Sequence, residues 1–436
     1  MSAETAYVIG NEAYISADYA RAEGDKLWSN VWQVACREEE IEGVGDYVTY
    51  NIGEESIIVV RVAKDRVAAY FNVCQHRGRR LTTGCGKAKG FVCPFHGWSW
   101  DLEGQCKGML RGDAWGDALK PEDVPLQTVK VGSWGGWVFV NMDPACEPLL
   151  KYLEPAATML DPFELQHMRY RWRQWLIFPC NWKVAVEAFN EGYHVAGTHP
   201  QLTKFSPKPT WSAAKGIHNC FGSVSGDGTG GASSGAAGAA DMRVGLAHSL
   251  NQIWDEVNAT TTQTMVNVAN ALVDELPEGT PALEVQMHLM RRTIEEDATR
   301  GVFWPQIDPA HFAASGNDWH LFPNTVMIHG PTSALCYRAR PNGVDPDSCI
   351  FEVYTLERFP PGEEPRPENV HCQEISEAKW RKVLCQDFSN MEAIQQGLKS
   401  RGFTGMKPNP VEEAPIVNFH RVLANYMGSG TPEELK

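Results

Sequence analysis

The sequence predicts an α+β fold in two parts, a small antiparallel β domain followed by a larger domain of mixed helices and strands. Three observations carry the prediction. From about Val31 to Met142 the chain is a series of short β-type runs parted by Gly, Asp, Asn and Lys. Beyond Pro155, stretches of helical character alternate with isolated strand-like ones. At roughly 150 residues per domain, the 436-residue length calls for two or three units.

Taken in order, residues 1–30 are an N-terminal segment expected to pack on the larger domain, 31–155 the small domain and 156–436 the larger one. The small domain's strands are VWQVA, DYVTYNI, SIIVVRV, RVAAYFNV, GFVC and GGWVFVNM. SIIVVRV is nearly continuous apolar, which predicts a strand buried on both faces. In the larger domain, NWKVAVEAFNEGYH, LAHSLNQIWDEVNATTTQTMVNVANALVDEL and EVQMHLMRRTIEEDATR read as helices, and WHLFPNTVMIHG and SCIFEVYTLERF as strands. Residues 222–241 are too rich in Gly, Ser and Ala to bury a face. They predict a flexible loop, either a surface insertion or a lid.

Composition excludes several functions. With 43% hydrophobic and 21% charged residues the chain is an ordinary globular one. Its formal net charge of -15 argues against a nucleic-acid surface and against attraction to anionic membranes. No run of 18 apolar residues occurs, and the first residues lack a basic stretch followed by an apolar one, so a cytoplasmic protein is expected. Twelve cysteines without a regular framework read as thiols and ligands rather than disulfides.

Two pairs of residues carry chemistry. Cys74 and His76 stand in VCQHRGRRL, and Cys93 and His96 in CPFHGWSW, each just after a strand-like run. Two thiolates and two imidazoles suit a structural zinc or an iron-sulfur cluster. Gly78 and Gly97 follow the histidines where the chain must turn beside a bulky group, and Pro94 stiffens the second loop. Paired imidazoles on one iron raise a [2Fe-2S] cluster's potential toward the range that serves an oxygen-activating metal.

CQHRG followed by CPFHGW resembles the cluster motif of the large (alpha) subunits of Rieske non-heme iron ring-hydroxylating oxygenases, with Phe95 where that family often has Tyr. Respiratory Rieske proteins add two bridging cysteines. Here those positions are Arg79 and Phe95, so no loop disulfide is expected. The resemblance implies that Cys74, His76, Cys93 and His96 bind one [2Fe-2S] cluster. It also implies a larger domain of helix-grip type, an antiparallel sheet covered by helices, holding one mononuclear Fe(II). NWKVAVEAFNEGYHVAGTHP is similar to the family's iron-binding helix and offers His194 and His199. LCQDFSNMEAIQQGL is similar to its late helix and offers Asp387, with Glu392 as the local competitor. Glu191 occupies the position of the family's bridging carboxylate, usually Asp, which links an iron histidine to His96 of a neighbouring chain.

The resemblance implies a terminal oxygenase component that uses O2, and electrons from NAD(P)H through a reductase and sometimes a ferredoxin. It would mono- or cis-dihydroxylate an aromatic or other cyclic hydrophobic substrate. It also implies a homotrimer or an α3β3 assembly. Oxidation of a quaternary amine, which Glu191 favours, O- or N-demethylation, and a structural zinc protein are the alternatives. Arg77, Arg79, Arg80, Lys87 and Lys89 form either a docking patch or an ordinary solvated loop.

Overall fold

The computed structural model describes residues 5–203, 210–223 and 241–435. Most of the Gly/Ala/Ser stretch expected as a flexible loop, 224–240, lies outside the described residues. The chain divides into two compact units: Arg21–Tyr152 forms one, and the residues up to Ala20 join those from Leu153 onward in the other. The sequence reading drew these divisions after residue 30 and near Pro155.

The smaller unit holds a seven-stranded antiparallel sheet in the order Gln33–Arg37, Trp137–Asn141, Thr128–Trp134, Arg66–Phe71, Glu55–Ala63, Asp46–Ile52, Cys85–Lys87. A three-stranded sheet, Gly90–Val92, Ser99–Asp101 and Cys106–Gly108, completes it. The β-branched run Ile57–Val60 is fully buried, as its unbroken apolar character requires. Ile58, Val60, Tyr70, Phe91, Trp98 and Trp100 make a core that also encloses the Cys74 and Cys93 side chains. The short strands at 85–87, 99–101 and 106–108 have no apolar alternation of their own. Backbone pairing to their neighbours makes them strands.

An eight-stranded sheet forms the centre of the larger unit, in the order Thr210–Lys215, His218–Ser223, Asp318–Leu321, Thr325–His329, Ser333–Asn342, Asp345–Glu357, Arg169–Phe178, Val370–His371. All neighbours run antiparallel except the last pair. Helices Met242–Glu256, Gln263–Glu275 and Ala282–Thr299 pack together around Leu246, Leu250, Val268, Leu272 and Val285. Helix Glu377–Leu398 is interrupted at Arg381, which takes a φ of 62°.

Three of the segments named from the sequence differ from their expectation, and Thr128–Trp134 was not among the strands expected. The long helical stretch from Leu246 is two helices, because Asn258 and Thr260 turn left-handed at φ 57° and 58°, and the Thr262 hydroxyl then accepts the Met265 N–H at 3.2 Å to start the second. WHLFPNTVMIHG is two strands and a turn, since Pro323 has no N–H to continue the ladder. The segment that was expected to be one helix from Asn181 to His194 stops at Glu187.

Candidate metal centres

The two Cys/His loops are built alike. The Cys74 N–H donates to Arg79 O at 2.8 Å and the Gly78 N–H to Cys74 O at 3.0 Å; the Cys93 N–H donates to Trp98 O at 2.7 Å and the Gly97 N–H to Cys93 O at 2.9 Å. Gly78 and Gly97 close the loops at φ 70° and 73°. A Cβ would meet nothing within 4 Å at either, so backbone conformation rather than space selects glycine.

This shared geometry brings the His76 and His96 ring centroids to 4.6 Å, with Cys74 and Cys93 buried beneath. Trp98 stacks on His76 at 4.8 Å and 10°. Nδ1 of both histidines is buried and makes no hydrogen bond. Buried polar atoms are normally paired, so two unpaired imidazole nitrogens beside two thiols fit the donor set of a cluster that takes two His and two Cys. Burial raises the Cys74 pKa. It opposes ionisation of Cys93 too, but the Phe95 N–H, the Cys74 thiol and the His96 N–H outweigh it and bring Cys93 below the usual thiol range. All twelve cysteines are free, Cys85 and Cys106 included.

In the larger unit, one ligand atom each from His194, His199 and Asp387 lie within 4.8 Å of one another. Asn181 begins this arrangement: its side chain accepts the Lys183 N–H at 3.1 Å, capping helix Trp182–Glu187. The chain then turns, and His194 and His199 flank the short helix Val195–Thr198. The histidines therefore sit at the ends of one helical turn and not along a continuous helix. Gly192 permits the turn, since a Cβ there would lie 2.5 Å from Thr210 Cγ2. Asp387 comes from helix Glu377–Leu398, tied to this segment where Gln395 Oε1 accepts the Asn181 N–H at 3.0 Å.

Nε2 of both histidines faces one Asp387 oxygen, at 2.8 Å from His199 and 3.6 Å from His194. Each Nδ1 has its own acceptor: Glu191 Oε1 at 2.6 Å from His194, and Gln386 Oε1 at 2.9 Å from His199. That is the pattern of metal-binding imidazoles, whose second nitrogen is fixed by a neighbour while the first is aimed at the ion. Glu191 Oε2 also accepts the His194 N–H at 3.0 Å. Burial works against protonation of His194, but the hydrogen bond and charge of Glu191, followed by Asp387 and Glu413, outweigh it and raise its pKa. A cluster that stabilises a proton on imidazole in this way also favours a cation. Glu392, the competitor for Asp387, is absent from the cluster.

Two family profiles match the chain: the Rieske [2Fe-2S] domain over residues 31–114, and the ring-hydroxylating alpha subunit catalytic domain over 162–429. The chain belongs to the ring-hydroxylating alpha subunit family. Curated relatives of this family member include a glycine betaine monooxygenase oxygenase subunit from Pseudomonas aeruginosa, 30% identical over 41% of this chain and 42% of that one. A benzene 1,2-dioxygenase alpha subunit from Pseudomonas putida is 31% identical over 44% of this chain and 43% of its own. The matched stretch thus spans less than half the length of those relatives. Among solved structures, a quaternary ammonium Rieske monooxygenase with L-carnitine superposes with a TM-score of 0.64 at 19% identity, covering 97% of this chain and 96% of that one. A naphthalene 1,2-dioxygenase from Rhodococcus sp. reaches 0.62 at 18% identity, over 96% and 94%. At such identities the likeness is one of fold.

The three-residue cluster of this alpha subunit lies on the wall of a cavity of about 1360 Å³. The stretch between the two histidines and the Asp318 strand, for which the sequence offered helices and a loop but no named site residue, supplies much of the lining. Helix Ala282–Thr299 has two apolar faces. Val285 and Leu289 are buried against its neighbours, Leu289 also reaching the cavity wall, whereas Leu283, Met287, Met290 and Ile294 line the cavity and are exposed by 40–64%. Their spacing of four, three and four residues was a signal available in the sequence, since a second apolar stripe has no use in a helix that buries only one face. His320 is fully buried, hydrogen bonded to the Pro323 carbonyl at 3.0 Å. His329 lines the cavity, and burial lowers its pKa to about 3. The five basic residues beside the first Cys/His loop are all exposed. Among the described residues no helix is long and apolar enough to cross a membrane.

Proposed function

We propose that this chain is the terminal oxygenase component of a Rieske non-heme iron system. It inserts one or both atoms of O2 into an aromatic or other cyclic hydrophobic substrate, with electrons drawn from NADH or NADPH by a reductase, directly or through a ferredoxin. One observation supports this most: a two-thiol, two-imidazole loop pair and a two-imidazole, one-carboxylate cluster on a large cavity occur in one chain. In this reading Cys74, His76, Cys93 and His96 hold a [2Fe-2S] cluster, and His194, His199 and Asp387 hold Fe(II). When bound, these groups supply single electrons and an open coordination site for O2.

The chain's own side chains do the remaining work. Gln386 and Glu191 accept from the Nδ1 atoms and so keep both Nε2 atoms aimed at the ion. In this reading Glu191, buried and hydrogen bonded to His194, relays to the His96 loop of a neighbouring copy in a ring of three, alone or with a second kind of subunit. The apolar face of helix Ala282–Thr299 orients the substrate and sheds water from the reacting centre. The exposed basic residues beside Cys74 provide a docking site for an acidic electron donor. A cytoplasmic location accords with the need for a nicotinamide-reducing partner.

A second reading, oxidation or demethylation of an amine, is supported by the longer carboxylate at Glu191 and by the glycine betaine and carnitine relatives. Oxygen uptake with a reconstituted reductase, run across aromatic, steroid-like and amine compounds and joined to metal and sulfide analysis of anaerobically prepared protein, tests the whole reading. Three irons and acid-labile sulfide per chain, with uptake coupled to product, are expected. Absence of sulfide together with zinc at the Cys/His loops would overturn it.

A further inference from the structure

The described residues lining the cavity include four carboxyls, Glu191, Asp318, Asp387 and Glu412, and no lysine or arginine. Three of the four have partners: Glu191 and Asp387 are engaged with the histidines, and Glu412 accepts the Thr210 hydroxyl at 3.1 Å. Asp318 is different. It opens a strand, is only 1% exposed, and neither of its oxygens makes a hydrogen bond. Its Cα partner across the ladder is Ile328, which pairs with Leu335. Facing residues in an antiparallel ladder point to the same side, so Asp318, Ile328 and Leu335 share one face with Tyr337, two positions on, and all four line the cavity.

A carboxyl buried without a partner is strongly unfavourable, and a fold that keeps one in a ligand cavity has a group for it to meet. The titratable groups that act on Asp318 or feel its charge are Glu191, Tyr337 and Cys220. None is a cation. Burial, then the charge of Glu191, raises the Asp318 pKa well above its ordinary value, which favours the protonated carboxyl while no positive group is beside it.

We propose that Asp318 is a specificity-determining residue that receives the N–H of a protonated amine on an otherwise bulky, apolar substrate. The apolar body lies along Met287, Met290 and Ile294, and the ammonium meets Asp318 on the sheet face that it shares with Tyr337. The same charge balance disfavours substrates that carry a carboxylate, betaines among them. Proton balance follows directly. An amine entering as ammonium pairs with the ionised carboxylate, so one proton leaves Asp318 for solvent on binding. This inference rests on the oxygenase reading for the location of the reacting centre, but binding can be measured apart from turnover.

The test uses the anaerobic, metal-loaded protein and three probes of one shape: N,N-dimethyl-1-naphthylmethylamine, its trimethylammonium analogue, and 1-isobutylnaphthalene. Calorimetry in buffers of different ionisation enthalpy reads both affinity and proton release. The tertiary amine is expected to bind about 30-fold more tightly than the hydrocarbon and to release close to one proton, with the trimethylammonium compound between them. Asp318→Asn, which preserves shape, should abolish the proton release and the preference while leaving hydrocarbon affinity unchanged. Equal affinity of amine and hydrocarbon, absence of proton release, or an unaltered preference in Asp318→Asn would each overturn the proposal. Oxygen uptake stimulated by the hydrocarbon, with no preference for the amine in binding, would leave the oxygenase reading standing and the Asp318 proposal refuted. Uptake coupled to neither compound, with the amine still preferred in binding, would count against the oxygenase reading instead.

Discussion

The two candidate centres gather comparable numbers of donor atoms by opposite means. In the smaller unit all four residues fall between positions 74 and 96, on two loops that share one backbone hydrogen-bond pattern, and the geometry is made locally. In the larger unit the third residue of the cluster is 188 positions from the second, and a long-range bond between Gln395 and Asn181 ties the two segments. A local centre depends on the conformation of a few residues, and a distributed one on the packing of a whole unit. The first should fail by loop strain, and the second through loss of its supporting contacts.

The largest effect expected is from Asp387→Ala, which removes the only carboxylate of the three-residue cluster. Mononuclear iron and turnover should fall to background while the visible absorbance of the [2Fe-2S] centre is unchanged. Loss of that absorbance as well would show that the two centres do not fail independently. Next comes Gln386→Leu, which deprives His199 Nδ1 of its acceptor. Removing such a partner costs about 10–100-fold in metal affinity, measurable by competition with a chelator.

Gly97→Ala forces a Cβ onto a residue at φ 73°, at a cost of about 1–2 kcal/mol in the loop. Reduced cluster content with iron still bound at the larger unit is the expected outcome, read by sulfide and iron assays; an unchanged cluster would mean that hydrogen bonds alone hold the loop. The smallest effect belongs to Met287→Ser on the exposed face of the cavity helix. With about 0.8 kcal/mol lost per methylene no longer covered, KM for an apolar substrate should rise several-fold while kcat and thermal stability hold.

The same contrast explains what was legible in the sequence. The Cys/His loops could be read because each is a short pattern with its own turn glycine, and five of the six long strands of the smaller unit because β-branched or aromatic residues recur along them; Thr128–Trp134, interrupted by Lys130 and Gly132, was not named. His194, His199 and Asp387 could be named only by resemblance, since nothing in H-x4-H or in one helical Asp says that three side chains meet. The helix expected to run to His194 ends early because Gly192 and the Glu191 side chain reward a turn there. Asp318 carried no signal at all. Its significance is the lack of a hydrogen-bond partner, which only the assembled sheet reveals.

One feature of connectivity bears on synthesis. Tyr14 donates to Glu187 at 2.8 Å and contacts His420 at 2.6 Å, so an early segment completes a unit whose remaining residues follow position 152. As the chain emerges from the ribosome, the inserted β unit can close first, while the segment around Tyr14 waits for nearly the entire polypeptide before it finds its partners. Limited proteolysis of stalled nascent chains would reveal this delay as early protection of 21–152 and late protection of the N-terminus.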